Sequence, residues 1–110
     1  MLDSWIGVDL DGTLAKYNGW SGPETIGDPV PAMVDRVKGW LKEGIKVKIF
    51  TARVSGNTAD AEHARHFIKK WLEENELGEL EITCVKDYGM VELYDDRCVQ
   101  VVMNTGELVG

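Results

Sequence analysis

The 110-residue chain is poor in cysteine, histidine and positive charge. Its two cysteines, Cys84 and Cys98, are too few for a disulfide framework. Both lie in apolar, strand-like runs, which predicts buried free thiols in a reducing cytoplasm. The two histidines, His63 and His66, are three apart on one expected helix. Without a third ligand they read as a solvated face rather than a metal site. Twelve basic against nineteen acidic side chains leave a net charge of −7. That balance excludes strong non-specific binding to nucleic acid or to an anionic membrane, although not a local positive pocket. No basic segment followed by a long apolar one opens the sequence, so no signal peptide is expected. No apolar stretch approaches the length of a membrane span. These absences point to a cytoplasmic protein. There is also no repeat or low-complexity tract.

What remains is ordinary globular composition, 44% hydrophobic and 28% charged. The length suits one domain over residues 1–110 with a single core. Residues 5–10 form a short continuous apolar run, as expected of a strand covered on both faces. Residues 12–30 are rich in glycine and carry Pro23 and Pro29, which reads as an irregular excursion. Pro31 suits a first helical turn, and Met33, Val37, Trp40 and Leu41 recur at helical spacing before Gly44. "IKVKIF" at 45–50 is a second strand. Asn57 or Thr58 can cap a second helix whose apolar face is Ala61, Ala64, Ile68, Trp71 and Leu72. "LEITCV" at 80–85, "VELY" at 91–94 and "CVQVVM" at 98–103 complete five expected strands, with a turn at "NTG". Strands alternating with helices predict a parallel α/β sheet with helices on its faces.

In such sheets, ligands bind beyond the carboxyl ends of the strands. The first strand delivers Asp9 and Asp11 in "IGVDLDGTLA", the second Thr51 and Arg53, and the fourth Asp95 and Asp96. Acids gathered on one edge repel unless a cation lies among them. A hard divalent ion is the economical answer, and Mg²⁺ with oxygen ligands suits it best. A carboxylate beside such an ion can attack phosphorus, and a second carboxyl can protonate the leaving oxygen and then activate water. Thr51 and a nearby cation can hold phosphate oxygens. The inventory fits phosphomonoester hydrolysis.

"DLDGT" after a first strand, Thr51 after a second and "YDDR" after a later one resemble the haloacid dehalogenase superfamily of phosphohydrolases. The resemblance covers the chain from Ile6 to about Val101. It implies a three-layer Rossmann-like domain around a central, mostly parallel five-stranded sheet. It makes Asp9 the nucleophile and a metal ligand, and Asp11 the general acid/base that also gives its backbone carbonyl to Mg²⁺. Thr51 would hold the transferring phosphoryl group, and Asp95 with Asp96 would complete the metal site. The glycine-rich segment matches the family's squiggle and flap. The intervals 12–31 and 86–91 are too short for a cap domain, so the chain resembles a capless member. Tyr17 and Trp20 are then the large flap groups nearest a substrate.

The family also expects a phosphate-steadying lysine, and Lys86 follows the third strand. In the family's strand order the fourth strand lies across the first from the third. The return needs roughly 19 Å, from ~3.3 Å per residue and ~4.8 Å between strands. Five residues reach only about 17 Å. Either the third strand is short or displaced, or Lys86 is not at the catalytic edge, in which case Arg53 is the substitute cation. Two other classes compete with a phosphatase: a phosphoryl-accepting signalling module and a catalytically degenerate binding protein of the same fold. The expected partner is a phosphorylated substrate of open class, and a homo-oligomer would shield a capless site.

Overall fold

The computed structural model describes residues 3–110. The chain builds β1 (Trp5–Val8), α1 (Pro31–Lys42), β2 (Val47–Phe50), α2 (Thr58–Glu74), β3 (Glu81–Thr83) and β4 (Met90–Tyr94). All strand pairings are parallel, in the order β3-β2-β1-β4. The result is a small α/β domain with a four-stranded parallel sheet and two helices.

Each helix forms where its local signals lie. Proline opens α1 without needing the missing N–H, and the chain leaves the helix through Gly44 at φ +80°. For α2, the Asn57 side chain accepts the Asp60 N–H at 3.0 Å, which satisfies one orphan donor of the first turn. Register aligns Ile6 with Val47 and Val8 with Ile49, and Ile49 with Ile82. These side chains share a core with Met33, Val34 and Val37 of α1 and Ala61, Ala64, Ile68 and Leu72 of α2. Alternation sends Trp5, Gly7 and Lys48 to the opposite face. There the Lys48 ammonium lies 4.5 Å from the Trp5 ring centre and 2.9 Å from Glu81.

Four expectations need correction. The third strand covers only Glu81–Thr83, because the chain turns away at once toward the far edge of the sheet. At that edge the Trp5 indole N–H donates to Asp87 at 2.8 Å. No helix joins β3 to β4, so the layered arrangement expected on both faces is not built among the described residues. The run 98–103 adds no fifth strand to the sheet. It folds back on itself instead, with Val101 bridging Leu108 and the Val102 N–H donating to Glu107. The cysteines follow from this. Cys84 is half-buried past the short β3, and Cys98 is exposed in the segment that leaves the sheet.

Candidate functional site

The parallel strands deliver their carboxyl ends to one edge, where a cleft of about 650 Å³ opens. Of the residues singled out in the sequence, Asp9, Asp11, Tyr17, Trp20, Thr51, Arg53, Asp95 and Asp96 line it. Lys86 does not; it is exposed on the connection that carries the chain back to Asp87 and Trp5. The short β3 and the remote Lys86 have one cause, since so brief a return leaves no length for a detour past the cleft.

Asp9 begins where β1 ends, its N–H donating to the Tyr94 carbonyl at 2.9 Å. This bond extends the β1–β4 ladder by one step and sets Asp9 beside Asp95 and Asp96. One carboxylate oxygen of each of the three lies within 4.8 Å of the others. Thr13 fixes the group from below. Its hydroxyl accepts the Asp96 N–H at 3.0 Å and lies 3.2 Å from Asp96 Oδ1 and 3.4 Å from Asp9 Oδ2. Between them, Gly12 has φ +89°, and a Cβ there would stand 2.7 Å from Asp96 Oδ2. Glycine at this position is what allows Asp96 to approach.

The electrostatics are those of acids without a counter-charge. Among the described residues, no lysine or arginine pairs with Asp9, Asp95 or Asp96. Burial pushes the Asp9 carboxyl up to about 7, and Asp95, Asp96 and Asp11 add to the rise. Asp9, Asp95 and Asp96 each offer one carboxylate oxygen to a half-buried cup, and these three residues could hold a metal ion. The side chain of Asp11 is not part of this group.

Asp11 is engaged elsewhere. Arg53 Nε donates to Asp11 Oδ2 at 2.7 Å, and Nη2 donates to Oδ1 at 2.8 Å. The same guanidinium donates to the carbonyls of Pro23 and Thr25 at 3.3 and 3.0 Å, and its carbon lies 4.8 Å from the Trp20 ring centre. Arg53 therefore ties the flap to Asp11. The flap base is closed by the Lys16 N–H donating to Asp28, and by the Trp71 indole N–H donating to the Gly27 carbonyl.

Thr51 is buried at the end of β2, and its hydroxyl accepts the Arg53 N–H at 3.2 Å. It caps the 3₁₀ turn Ala52–Val54. The hydroxyl proton is left free for a group in the cleft. The sequence reading missed Phe50, Ala52 and Arg97, which also line the cleft, and Thr13, which orients the acids. The signals were present: Thr13 lies within "DLDGT", and Arg97 closes "YDDR".

His63 and His66 are exposed on α2, each against Phe67, as a solvated face requires. No model of a known protein family matches the chain, and no curated protein sequence matches it. Among the described residues, no helix is long and apolar enough to cross a membrane.

Proposed function

We propose that this chain is a Mg²⁺-dependent phosphomonoester hydrolase of the haloacid dehalogenase type, without a cap domain. The observation that carries the reading is the convergence of Asp9, Asp95 and Asp96 beside Thr51, at the carboxyl edge of a parallel sheet. The ion, when bound, would screen the approach of an anionic ester to the acids and stabilise charge on the transferring phosphoryl group.

Asp9 attacks phosphorus through a carboxylate oxygen, and the bond to the leaving oxygen breaks. Asp11 gives that oxygen its proton. A water molecule then attacks the aspartyl phosphate, Asp11 takes the water's proton, and the bond between phosphorus and Asp9 breaks to release inorganic phosphate. Thr51 donates to a phosphoryl oxygen throughout. In the conformation described, Asp11 is an acceptor on both oxygens, so Arg53 must loosen its grip before Asp11 can donate. Flap movement and proton transfer are thereby one event.

The same grip, with Lys86 outside the cleft, favours a second reading as a degenerate binding protein of this fold. A phosphoryl-accepting signalling module is disfavoured, because the acid after its third strand must reach the site, whereas Asp87 bonds Trp5 at the opposite edge.

Intact-mass measurement after reaction with an activated aryl phosphate and Mg²⁺ tests the assignment. The Asp11→Asn protein should gain one phosphoryl group on Asp9, because the activated leaving group needs no acid and no base then activates water. The Asp9→Asn protein should gain nothing and turn over nothing. Label on Asp11, Asp95 or Asp96, or turnover by Asp9→Asn, would overturn the mechanism. A wild-type protein that neither turns over nor labels is the degenerate binder.

A further inference from the structure

We propose that the phosphorylated ligand is a nucleoside monophosphate whose base stacks on the open face of Trp20, an assignment that rests on the phosphatase reading above.

The flap has almost no interior of its own, yet it holds two large aromatic rings over the cleft. Trp20 is 59% exposed and Tyr17 is 48% exposed, while both line the same cavity as the acids. One face of Trp20 is covered by the Arg53 guanidinium, whose carbon stands 4.8 Å from the ring centre. That contact holds the indole in place, because the guanidinium is itself fixed by Asp11 and by two flap carbonyls. With 59% of Trp20 exposed, there is room for a planar partner on the side away from Arg53. An indole held rigid on one side and open on the other is a stacking platform, and aromatic rings accept nucleobases of any identity.

The polar groups of the cleft narrow the choice. In the complex that precedes proton transfer, Arg53 still holds Asp11. There Asp9, Asp95 and Asp96 belong to the ion, Thr51 to the phosphoryl group, and Asp11 and Arg53 to each other. The Tyr17 hydroxyl, the Trp20 indole N–H and Arg97 are what remain for a leaving group. A bare sugar phosphate leaves the exposed Trp20 indole in water, whereas a nucleotide brings a planar base that can cover it. Spacing separates a nucleotide from a simple aryl ester. In an aryl ester the ring is bonded directly to the oxygen that Asp11 protonates. Here a ring on the open face of Trp20 is separated from Asp11 by the guanidinium and the indole, so a spacer of roughly one sugar is required. The net charge of −7 disfavours a polynucleotide, whose many phosphates would be repelled.

Steady-state kinetics with Mg²⁺ on adenosine 5′-monophosphate, ribose 5-phosphate, phenyl phosphate and a 5′-phosphorylated oligonucleotide test the proposal. Adenosine 5′-monophosphate should lead in kcat/KM, exceeding ribose 5-phosphate by roughly 5- to 150-fold, the range that one base–aromatic stack supplies. Trp20→Ala should erase most of that ratio through KM, and Trp20→Phe should keep most of it. A higher kcat/KM for phenyl phosphate, ribose 5-phosphate or the oligonucleotide would overturn the assignment, as would a ratio unchanged in Trp20→Ala.

Calorimetry with Ca²⁺ in place of Mg²⁺ reads binding without turnover. Adenosine 5′-monophosphate should bind wild type more tightly than ribose 5-phosphate, and the difference should vanish in Trp20→Ala. Turnover without that difference overturns the stacking assignment and leaves the phosphatase reading standing. The difference without any turnover upholds the stacking site and overturns the phosphatase reading.

Discussion

Arg53 grips Asp11 through both carboxylate oxygens, at 2.7 and 2.8 Å, and the arginine side chain is almost fully buried in doing so. Geometry of this kind is bidentate and directional, unlike an exposed ion pair. Removing the guanidinium leaves Asp11 half-buried without a partner and cuts the flap from Pro23 and Thr25. Arg53→Ala should therefore lose about 3 kcal/mol in urea unfolding. Cleavage within residues 17–26 by a broad protease should quicken about tenfold. Arg53→Lys should recover little, because an ammonium cannot make the fork. A loss below about 0.5 kcal/mol with an unchanged cleavage rate would mean the latch is not functional.

Asp9 gives the protein an unusual pH response when no divalent ion is present. Its folded-state value of about 7 lies above the ordinary 3.8, so the folded form holds a proton that the unfolded chain has already released. Stability from this group is fully present below pH 3.8 and is lost as pH rises through 7. In EDTA, the melting temperature should fall between pH 4 and pH 7, beyond what Asp9→Asn shows. Mg²⁺ should restore it at pH 7 and do little at pH 4. Parallel pH curves for wild type and Asp9→Asn would refute the assignment.

Gly12 faces Asp96 across a gap that a Cβ can enter only by displacing the Asp96 carboxylate. Gly12→Ala is strained by its backbone angle and also pushes an acid out of the cup, so it should cost about 1–3 kcal/mol. The stronger expectation concerns the ion. The rise in melting temperature on adding 10 mM Mg²⁺ (about this concentration suffices for a weak carboxylate site) should shrink by at least half. An undiminished rise would place the ion away from Asp96.

Lys86 is exposed and outside the cleft. Lys86→Ala should leave kcat and KM within about twofold of wild type, as surface substitutions generally leave the fold unperturbed. A hundredfold loss of kcat would require the 84–89 connection to move over the site during turnover.

Much of this arrangement is legible in the sequence because its signals are local. Pro31, Gly44 and Asn57 mark helix ends through backbone chemistry that needs no tertiary context. The pairing of Asp9 with Asp95 and Asp96 follows from placing strand ends on one edge. What the sequence hides is set by competition at a distance. "CVQVVM" has the apolar pattern of a strand, but whether it joins the sheet depends on the turn at Asp95–Arg97, where the Asp95 side chain accepts the Arg97 N–H at 2.8 Å. The run then meets Leu108 instead of β4. The Arg53–Asp11 fork was hidden for a related reason. A charge two residues past Thr51 can point to a phosphate or to an acid, and only the flap carbonyls decide. Covalent reach left two outcomes open for Lys86, and the structure has both a short third strand and a Lys86 outside the cleft.

The cup of acids also has a topological consequence. Asp9 and Asp95 stand 86 positions apart, and they meet only when β4 pairs with β1, a contact between distant parts of the chain. Closing so large a loop is a slow search, and the ion has nothing to bind until the search is over. A divalent ion would therefore act as a clasp fastened after assembly. It should leave the refolding rate nearly unchanged and slow unfolding, so its stabilisation would be felt as lifetime of the native state rather than speed of reaching it.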